Sequence, residues 1–170
     1  MGGTDTRLHR TPMVYAHGFK TKGVMHGVSI RKIYLLEAEN YAAGDATEDN
    51  THQIDISTDV LNSGSIIVDS GTTDTYMTRS LRGPFQKMFK QVVGFAYNEG
   101  GMKLTHEQIQ MIPTIIIQIQ GSRDHNGALG SDTAGLAGAI DDQFPYDVLI
   151  AIPPSHYVEY DSDNDKYVGR

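Results

Sequence analysis

Short runs of β-branched and other apolar residues, separated by turn formers, dominate the hydrophobic pattern of the chain. Four such runs are rich in Ile and Val and are bounded by Gly, Pro, Asn or Asp, a pattern typical of β-strands. They lie at residues 28–36, 64–69, 114–119 and 148–152. The pattern predicts that strand is the main secondary structure of the chain.

One segment has a helical period instead. Between residues 80 and 96 the apolar residues recur at spacings of three and four, so that they share one face of a helix. Ser80 is a suitable cap, Pro84 falls in the first turn, and Gly100 with Gly101 stops whatever helix remains. We interpret this apolar stripe as core packing. Its members are Leu81, Phe85, Met88, Phe89, Val92 and Val93.

Two polar segments are predicted to be surface loops. Residues 40–53 are polar and acidic, and residues 121–143 are dominated by Gly, Asp, Ser and Ala. We find no internal repeat and no linker, and 170 residues with 39% hydrophobic content suit one domain with one packed core. The chain is therefore expected to be a single domain over residues 1–170.

Charge and composition exclude several classes of function. The net charge of −7 gives no positive field for holding phosphates, so nucleic acid is not an expected partner. The longest apolar runs are far shorter than the ~18 residues of a membrane-spanning helix. The chain has no cysteine, which excludes disulfides, cysteine metal sites and thiol nucleophiles but leaves the compartment open.

The stretch IIVDSGTTDTYM, residues 66–77, carries the most specific chemistry. Its apolar start predicts a strand buried on both faces, and burial of a carboxylate at the strand end would raise the pKa of Asp69 unless hydrogen bonds compensate. Gly71 permits a sharp turn, and the hydroxyls of Ser70 and Thr72 can orient the carboxylate. This arrangement suits a general base that acts on water. The alternative is an ordinary tight turn after a strand, which the Asp-Ser-Gly triplet alone would also form.

This segment is predicted to consist of a strand, then the sequence Asp, Ser, Gly, Thr, Thr, and then a helix. That order, in which Ser or Thr follows the Asp, resembles the active-site segment in the second lobe of pepsin-like aspartic proteases. Other segments resemble that lobe in the same order along nearly the whole chain. They are Gly2, Gly3 and Asp5 with residues 13–15, the strand at 28–35, residues 113–119, and Tyr157 after Pro153 and Pro154. The resemblance implies an all-β, barrel-like lobe of packed sheets with one amphipathic helix.

The resemblance also implies a role for each residue of the motif. Asp69 would be one of two catalytic aspartates, Thr72 would hydrogen-bond its outer oxygen, and Ser70 would brace the two active-site loops. Gly71 and Thr73 would line the cleft and contact the substrate backbone. The dyad shares one proton, deprotonates a water for attack on the peptide carbonyl and works best at acidic pH. No metal and no cofactor is expected.

The chain carries one such motif, and the family's first Asp-Thr/Ser-Gly motif and tyrosine-bearing flap do not occur in it. The family's closing hydrophobic pair with glycine has no convincing copy either, because residues 136–138 come early in a polar segment and residues 167–169 lie at the very end. We therefore expect most of a second lobe, incomplete at both ends, whose partner is the N-terminal lobe of the same polypeptide. The resemblance suggests a secretory, extracellular, vacuolar or lysosomal location.

Three functions remain open at this stage. The first is an aspartic endopeptidase lobe that acts on peptide or protein substrates and is inactive by itself. The second is a catalytically inert lobe that binds a peptide or a protein partner. The third is a homodimeric protease in which each subunit supplies one Asp69.

Three further motifs are better explained without a function. His106 and Glu107 lack the second histidine of a zinc-protease helix. The alternating Asp161, Asp163 and Asp165 resemble a calcium loop, but Lys166 stands where that loop needs glycine. The N-terminal Met-Gly pattern of myristoylation is better explained by the strand motif that starts at Gly2.

Overall fold

The computed structural model describes residues 11–20, 26–69 and 75–169. The strands are β1 (Phe19–Lys20), β2 (His26–Gly27), β3 (Ile30–Leu36), β4 (Thr51–Gln53), β5 (Ile67–Val68), β6 (Thr114–Ile119), β7 (Val148–Ile152), β8 (Val158–Asp161) and β9 (Lys166–Gly169). The α-helices are α1 (Thr58–Leu61), α2 (Arg82–Val93), α3 (His106–Gln110) and α4 (Arg123–Asn126). Short 3-10 turns lie at Ala43–Asp45, Arg79–Leu81, Ala137–Ala139 and Pro154–His156.

The largest sheet has four antiparallel strands in the order β4-β3-β6-β7. Its central strand β6 is buried along its whole length, as expected of a run of Ile residues flanked by strands on both sides. The predicted strands at residues 114–119 and 148–152 are confirmed, and the predicted strand at 28–36 begins at Ile30.

The two faces of this sheet each cover a separate hydrophobic cluster, because successive side chains of a strand point to opposite faces. Ile33, Leu35 and Ile115 belong to the larger cluster. Tyr34 and Leu36 belong to the smaller one. The predicted helical stripe packs into the larger cluster, where Phe89 and Val93 are buried.

The fold is mainly β, with two smaller antiparallel sheets, β1-β2-β5 and β8-β9, beside the four-stranded one. Over the described ranges the sheets stay open and do not close into a barrel. The prediction of a mainly β chain with one substantial helix is confirmed, whereas the predicted barrel-like packing of a pepsin-like lobe is not.

The helix is shorter than the sequence pattern predicted. It spans Arg82–Val93 and ends at Gly94, whose φ of 82° places it in the left-handed region. Glycine adopts this conformation without steric cost, and its N–H bonds to the oxygen of Lys90. The predicted end near residue 96, with Gly100 and Gly101 as the final stop, was wrong. Ser80 lies within a preceding 3-10 turn rather than at the cap, while Pro84 falls in the first turn as predicted.

The prediction of a strand buried on both faces at residues 66–68 was also wrong. Strand β5 has two residues, Ile67 is 36% exposed and Val68 is 55% exposed. The reason is that β5 lies at the edge of the small sheet, where it pairs only with β2 among the described strands. A continuous apolar run therefore does not by itself place a strand in the core.

The two predicted surface loops contain buried structure. Residues 51–53 form β4, which pairs with β3. In the second segment Asn126, Ala137 and Asp141 are buried, since this segment folds against β7 through a bridge between Leu136 and Val148. The prediction of a surface loop was wrong here because it rested on composition, and small and polar residues dominate the segment.

Candidate functional site

Asp69 is exposed and follows directly after β5. It does not end a buried strand, so the burial predicted from the sequence is absent at this carboxylate. The other predicted site residues are Ser70, Gly71, Thr72 and Thr73, and all four lie outside the described residues. The predicted contacts of Asp69 with Ser70 and Thr72 therefore remain predictions.

The strand before Asp69 is held by backbone hydrogen bonds to the middle of the small sheet. Ile67 pairs with Gly27 and Val68 with His26. The ladder continues through the N–H of Val28, which donates to the oxygen of Ile66 at 3.0 Å. Asp69 therefore follows a strand whose position is fixed by β2, as a reactive side chain requires.

We call residues 69–74 the site segment. Residues 75–78 follow it and lead into the 3-10 turn and helix α2. Leu81, at the end of the turn, is buried in the larger hydrophobic cluster. The site segment is thus bounded by a paired strand on one side and an anchored helix on the other. This order of elements is the one that the sequence predicted.

Exposed apolar side chains flank the site segment on both sides. Ile67 and Val68 precede it, and Tyr76, which is 81% exposed, and Met77 follow it. Adjacent exposed apolar residues are typical of surfaces that bind a peptide or another protein.

Two residues that carry the family resemblance contact each other far from Asp69 in the sequence. The hydroxyl of Tyr157 donates a hydrogen bond to the carbonyl oxygen of Pro113. Tyr157 is buried, and burial, with a smaller contribution from Tyr97, raises the pKa of its hydroxyl well above the usual range. The bond joins the segment after β7 to the start of β6.

Residues 13–15 resemble part of the family's entering strand pair, and Tyr15 is fixed by a buried amide. The N–H of Tyr15 donates to Oδ1 of Asn126 at 2.8 Å, and Nδ2 of Asn126 donates to the oxygen of Tyr15 at 2.9 Å. Gly2, Gly3 and Asp5 of the same resemblance lie outside the described residues.

The structure reveals one set of interacting polar residues that sequence reasoning missed. We call it the ion-pair cluster, and it comprises Arg31, Lys32, Gln118, Asp141 and Asp147. Arg31 pairs with Asp147, and Lys32 pairs with Asp141 at 2.8 Å. Nε2 of Gln118 donates to both carboxylates, at 2.9 Å to Asp141 and 3.0 Å to Asp147. The cluster joins strands β3 and β6 to the segment before β7.

Each carboxylate of the cluster has further donors. Asp147 accepts the N–H of Gly121 at 2.9 Å, and Asp141 accepts the N–H of Gln143 at 3.1 Å. Burial acts to raise the pKa of Asp141, but the bonds and charge of Lys32 and the amide of Gln118 outweigh it, so that the pKa is lowered. The Asp141 carboxylate therefore stays ionised to lower pH than an ordinary aspartate.

Potential metal ligands are dispersed in the described part of the chain. No group of three potential ligands from His, Asp and Glu comes together there. Asp161 instead caps its own turn, accepting N–H groups from Asp163 and Asn164. His106 contacts Gln110 in its own helix. Among the described helices none is long and apolar enough to cross a bilayer.

Comparison with known proteins adds no relative: a scan against protein-family models, a search of curated proteins and a search of solved structures each gave no match.

Proposed function

We propose that this chain is the second lobe of a pepsin-like aspartic endopeptidase and that Asp69 is one of its two catalytic acids. The observation that carries the proposal is the exposed Asp69 after a paired strand, inside a segment whose sequence resembles the family's active-site motif. The mainly β fold, the helix that follows the motif and the contact between Tyr157 and Pro113 support it.

In the proposed reaction the ionised aspartate takes a proton from a water held between the two carboxylates. The oxygen of that water attacks the peptide carbonyl carbon, and the protonated partner aspartate stabilises the developing oxyanion. A proton then passes to the leaving nitrogen as the carbon–nitrogen bond breaks. In this proposal Thr72 would hydrogen-bond the outer oxygen of Asp69 and Ser70 would brace the two active-site loops, while Gly71 and Thr73 would contact the substrate backbone.

The second aspartate comes from a first lobe in the same polypeptide, and the exposed residues around Asp69 suit its docking. Val68 and Tyr76 are largely exposed on either side of the site segment, as expected of a surface that another lobe or a substrate covers. The lowered pKa of Asp141 also suits this function, because this carboxylate keeps its ion pair with Lys32 to lower pH than an ordinary aspartate would, and a shared-proton dyad works at acidic pH.

The same surface fits a second function, an inert lobe that binds a peptide or a protein partner through its exposed apolar residues. It also fits a third, a homodimeric protease with one Asp69 from each subunit. The homodimer and the dependent lobe make different predictions for peptide cleavage by this chain alone.

The experiment that separates them measures cleavage of a fluorogenic apolar peptide at acidic pH over a wide range of chain concentrations. A lobe that needs its partner gives no cleavage at any concentration, whereas a homodimer gives a rate that rises with the square of the concentration. Pepstatin-sensitive cleavage at low concentration would refute the proposal of a dependent lobe. Asp69→Asn serves as the inactive control, and Asp55→Asn as an exposed aspartate outside the motif.

The inert lobe and the catalytic lobe are distinguished by the complete reading frame around this chain. An upstream flap and a second Asp-Thr/Ser-Gly motif support the catalytic lobe. An upstream lobe in which that aspartate is replaced supports the inert one.

A further inference from the structure

A cavity of about 560 Å³ lies between the large sheet and the segment that leads into α2. Its volume is in the range of small-molecule sites, which run from roughly 300 to 1,000 Å³. Residues of three neighbouring strands line it, namely Ile33 of β3, Ile115 of β6 and Ile152 of β7. An apolar ligand body would therefore contact one face of a rigid sheet.

The aromatic wall of the cavity carries the hydroxyl of Tyr97, a residue that is buried as a whole and whose hydroxyl makes no hydrogen bond to any described residue. Tyr97 packs edge-on against Phe85, and both side chains line the cavity. The hydroxyl lies beside Gly169, where an added Cβ atom would come within 2.1 Å of it. Burial, with a smaller contribution from Glu99, raises the pKa of Tyr97 to about 12, so the hydroxyl keeps its proton and remains a donor.

The charged lining of the cavity is mainly basic. Among the described lining residues, Arg79 and Arg82 carry positive charge and Glu99 is the one acid. Glu99 pairs with Arg82 at 3.4 Å, whereas Arg79 has no acidic partner among the described residues. An anionic group is therefore the polar group that this lining would accept.

We propose that this cavity binds a small amphipathic carboxylic acid, with its apolar body on the sheet face and its carboxylate near Arg79 and Tyr97. The apolar body of the ligand matches the sheet side of the lining, and its carboxylate matches the side that holds Arg79 and Tyr97. The lining residues of the sheet contribute apolar side chains, while Arg79 and Tyr97 are donors for which the described residues supply no side-chain acceptor. Asp69 is not among the described lining residues of this site, although Tyr76 and Met77 belong both to its lining and to the exposed apolar surface beside the proposed catalytic motif.

The test is isothermal titration of the purified chain with decanoate near neutral pH, where arginine is charged. We expect one saturable site. Arg79→Gln should weaken binding about tenfold or more, because it removes one charge-assisted hydrogen bond to the carboxylate. Arg123→Gln, an exposed arginine outside this cavity, should bind as the wild type does. Decylamine, which is cationic near neutral pH, should not bind at this site.

A second variant keeps the test decisive if the first loses binding by unfolding. Ile152→Phe fills the cavity from a half-buried position, so it should abolish binding while circular dichroism shows an unchanged fold. Absence of saturable binding to a folded wild-type chain overturns the proposal. Binding that neither Arg79→Gln nor Ile152→Phe changes also overturns it, since that result indicates non-specific adsorption. Asp69→Asn should bind decanoate normally, which separates this site from the proposed catalytic one.

Discussion

Replacing Gln118 by Leu tests whether one amide holds the ion-pair cluster together. Gln118 is fully buried near the end of β6 and makes three side-chain hydrogen bonds. Its Oε1 accepts a hydrogen bond from the hydroxyl of Tyr34 at 2.8 Å, and its Nε2 donates hydrogen bonds to Asp141 and Asp147. Leu has a similar volume, so the substitution removes these bonds without leaving a large cavity.

The expected cost follows from the groups left behind. The buried hydroxyl of Tyr34 loses its acceptor, which costs roughly 1–3 kcal/mol. Each carboxylate loses one donor but keeps its cation, so these two losses add less than the 3–5 kcal/mol of a fully broken buried pair. The total should be about 4 kcal/mol, a large part of the roughly 5–15 kcal/mol that stabilises a typical domain.

Urea unfolding followed by circular dichroism measures this loss. With a slope of about 2 kcal/mol per molar, the midpoint should fall by about 2 M while the slope stays the same. Gln53→Leu, at an exposed position of β4, should change stability by less than about 0.5 kcal/mol. A loss below about 1 kcal/mol for Gln118→Leu would refute the reasoning, because the carboxylates would then be held without the amide.

The remaining predictions concern backbone packing and acid stability. Gly121→Ala should destabilise the chain by about 1–3 kcal/mol or more in urea unfolding, since the new Cβ would lie 1.9 Å from the carbonyl oxygen of Tyr146. Gly64→Ala, which meets nothing within 4 Å, should be neutral or stabilising, and equal effects of the two variants would contradict the packing argument. Because the folded pKa of Asp141 is lowered, its contribution to stability is complete above about pH 4 and is lost as the pH falls through the folded value. Asp141→Asn should remove that part of the acid dependence in urea midpoints measured between pH 2 and 6, and an unchanged profile would contradict it.

The sequence pattern predicted the centre of the fold well, because long Ile-rich runs admit few other structures. Strands β6 and β7 have the bounds that their apolar runs indicated, and α2 occupies most of its predicted range. The end of α2 was missed because Gly94 was not weighed as a stop. Its left-handed conformation ends the helix before the later glycines are reached.

Burial was harder to predict where it depends on a strand's neighbours. Ile67 and Val68 looked like core residues, but an edge position in a small sheet leaves them exposed. Residues such as Asn126 and Asp141 looked like surface residues, but contacts with distant strands bury them. Local composition carries no information about either outcome.

At the candidate site, the structure describes Asp69 alone among the predicted residues. Asp69 follows a strand, as the motif indicated, and the later residues of the motif lie outside the described chain. The ion-pair cluster could not be found by spacing, because Arg31 and Asp147 are 116 positions apart. One signal was present in the sequence, since Gln118 interrupts a run of Ile that otherwise reads as a fully apolar strand.

The most direct test of the central claim is peptide cleavage at acidic pH by the polypeptide that the complete reading frame encodes, with and without Asp69→Asn. Our account predicts pepstatin-sensitive cleavage that Asp69→Asn abolishes and that Asp55→Asn leaves unchanged. Cleavage that survives Asp69→Asn would contradict the account, because Asp69 would then not be a catalytic acid. A complete polypeptide without any cleavage would contradict it as well, and would favour a lobe that only binds.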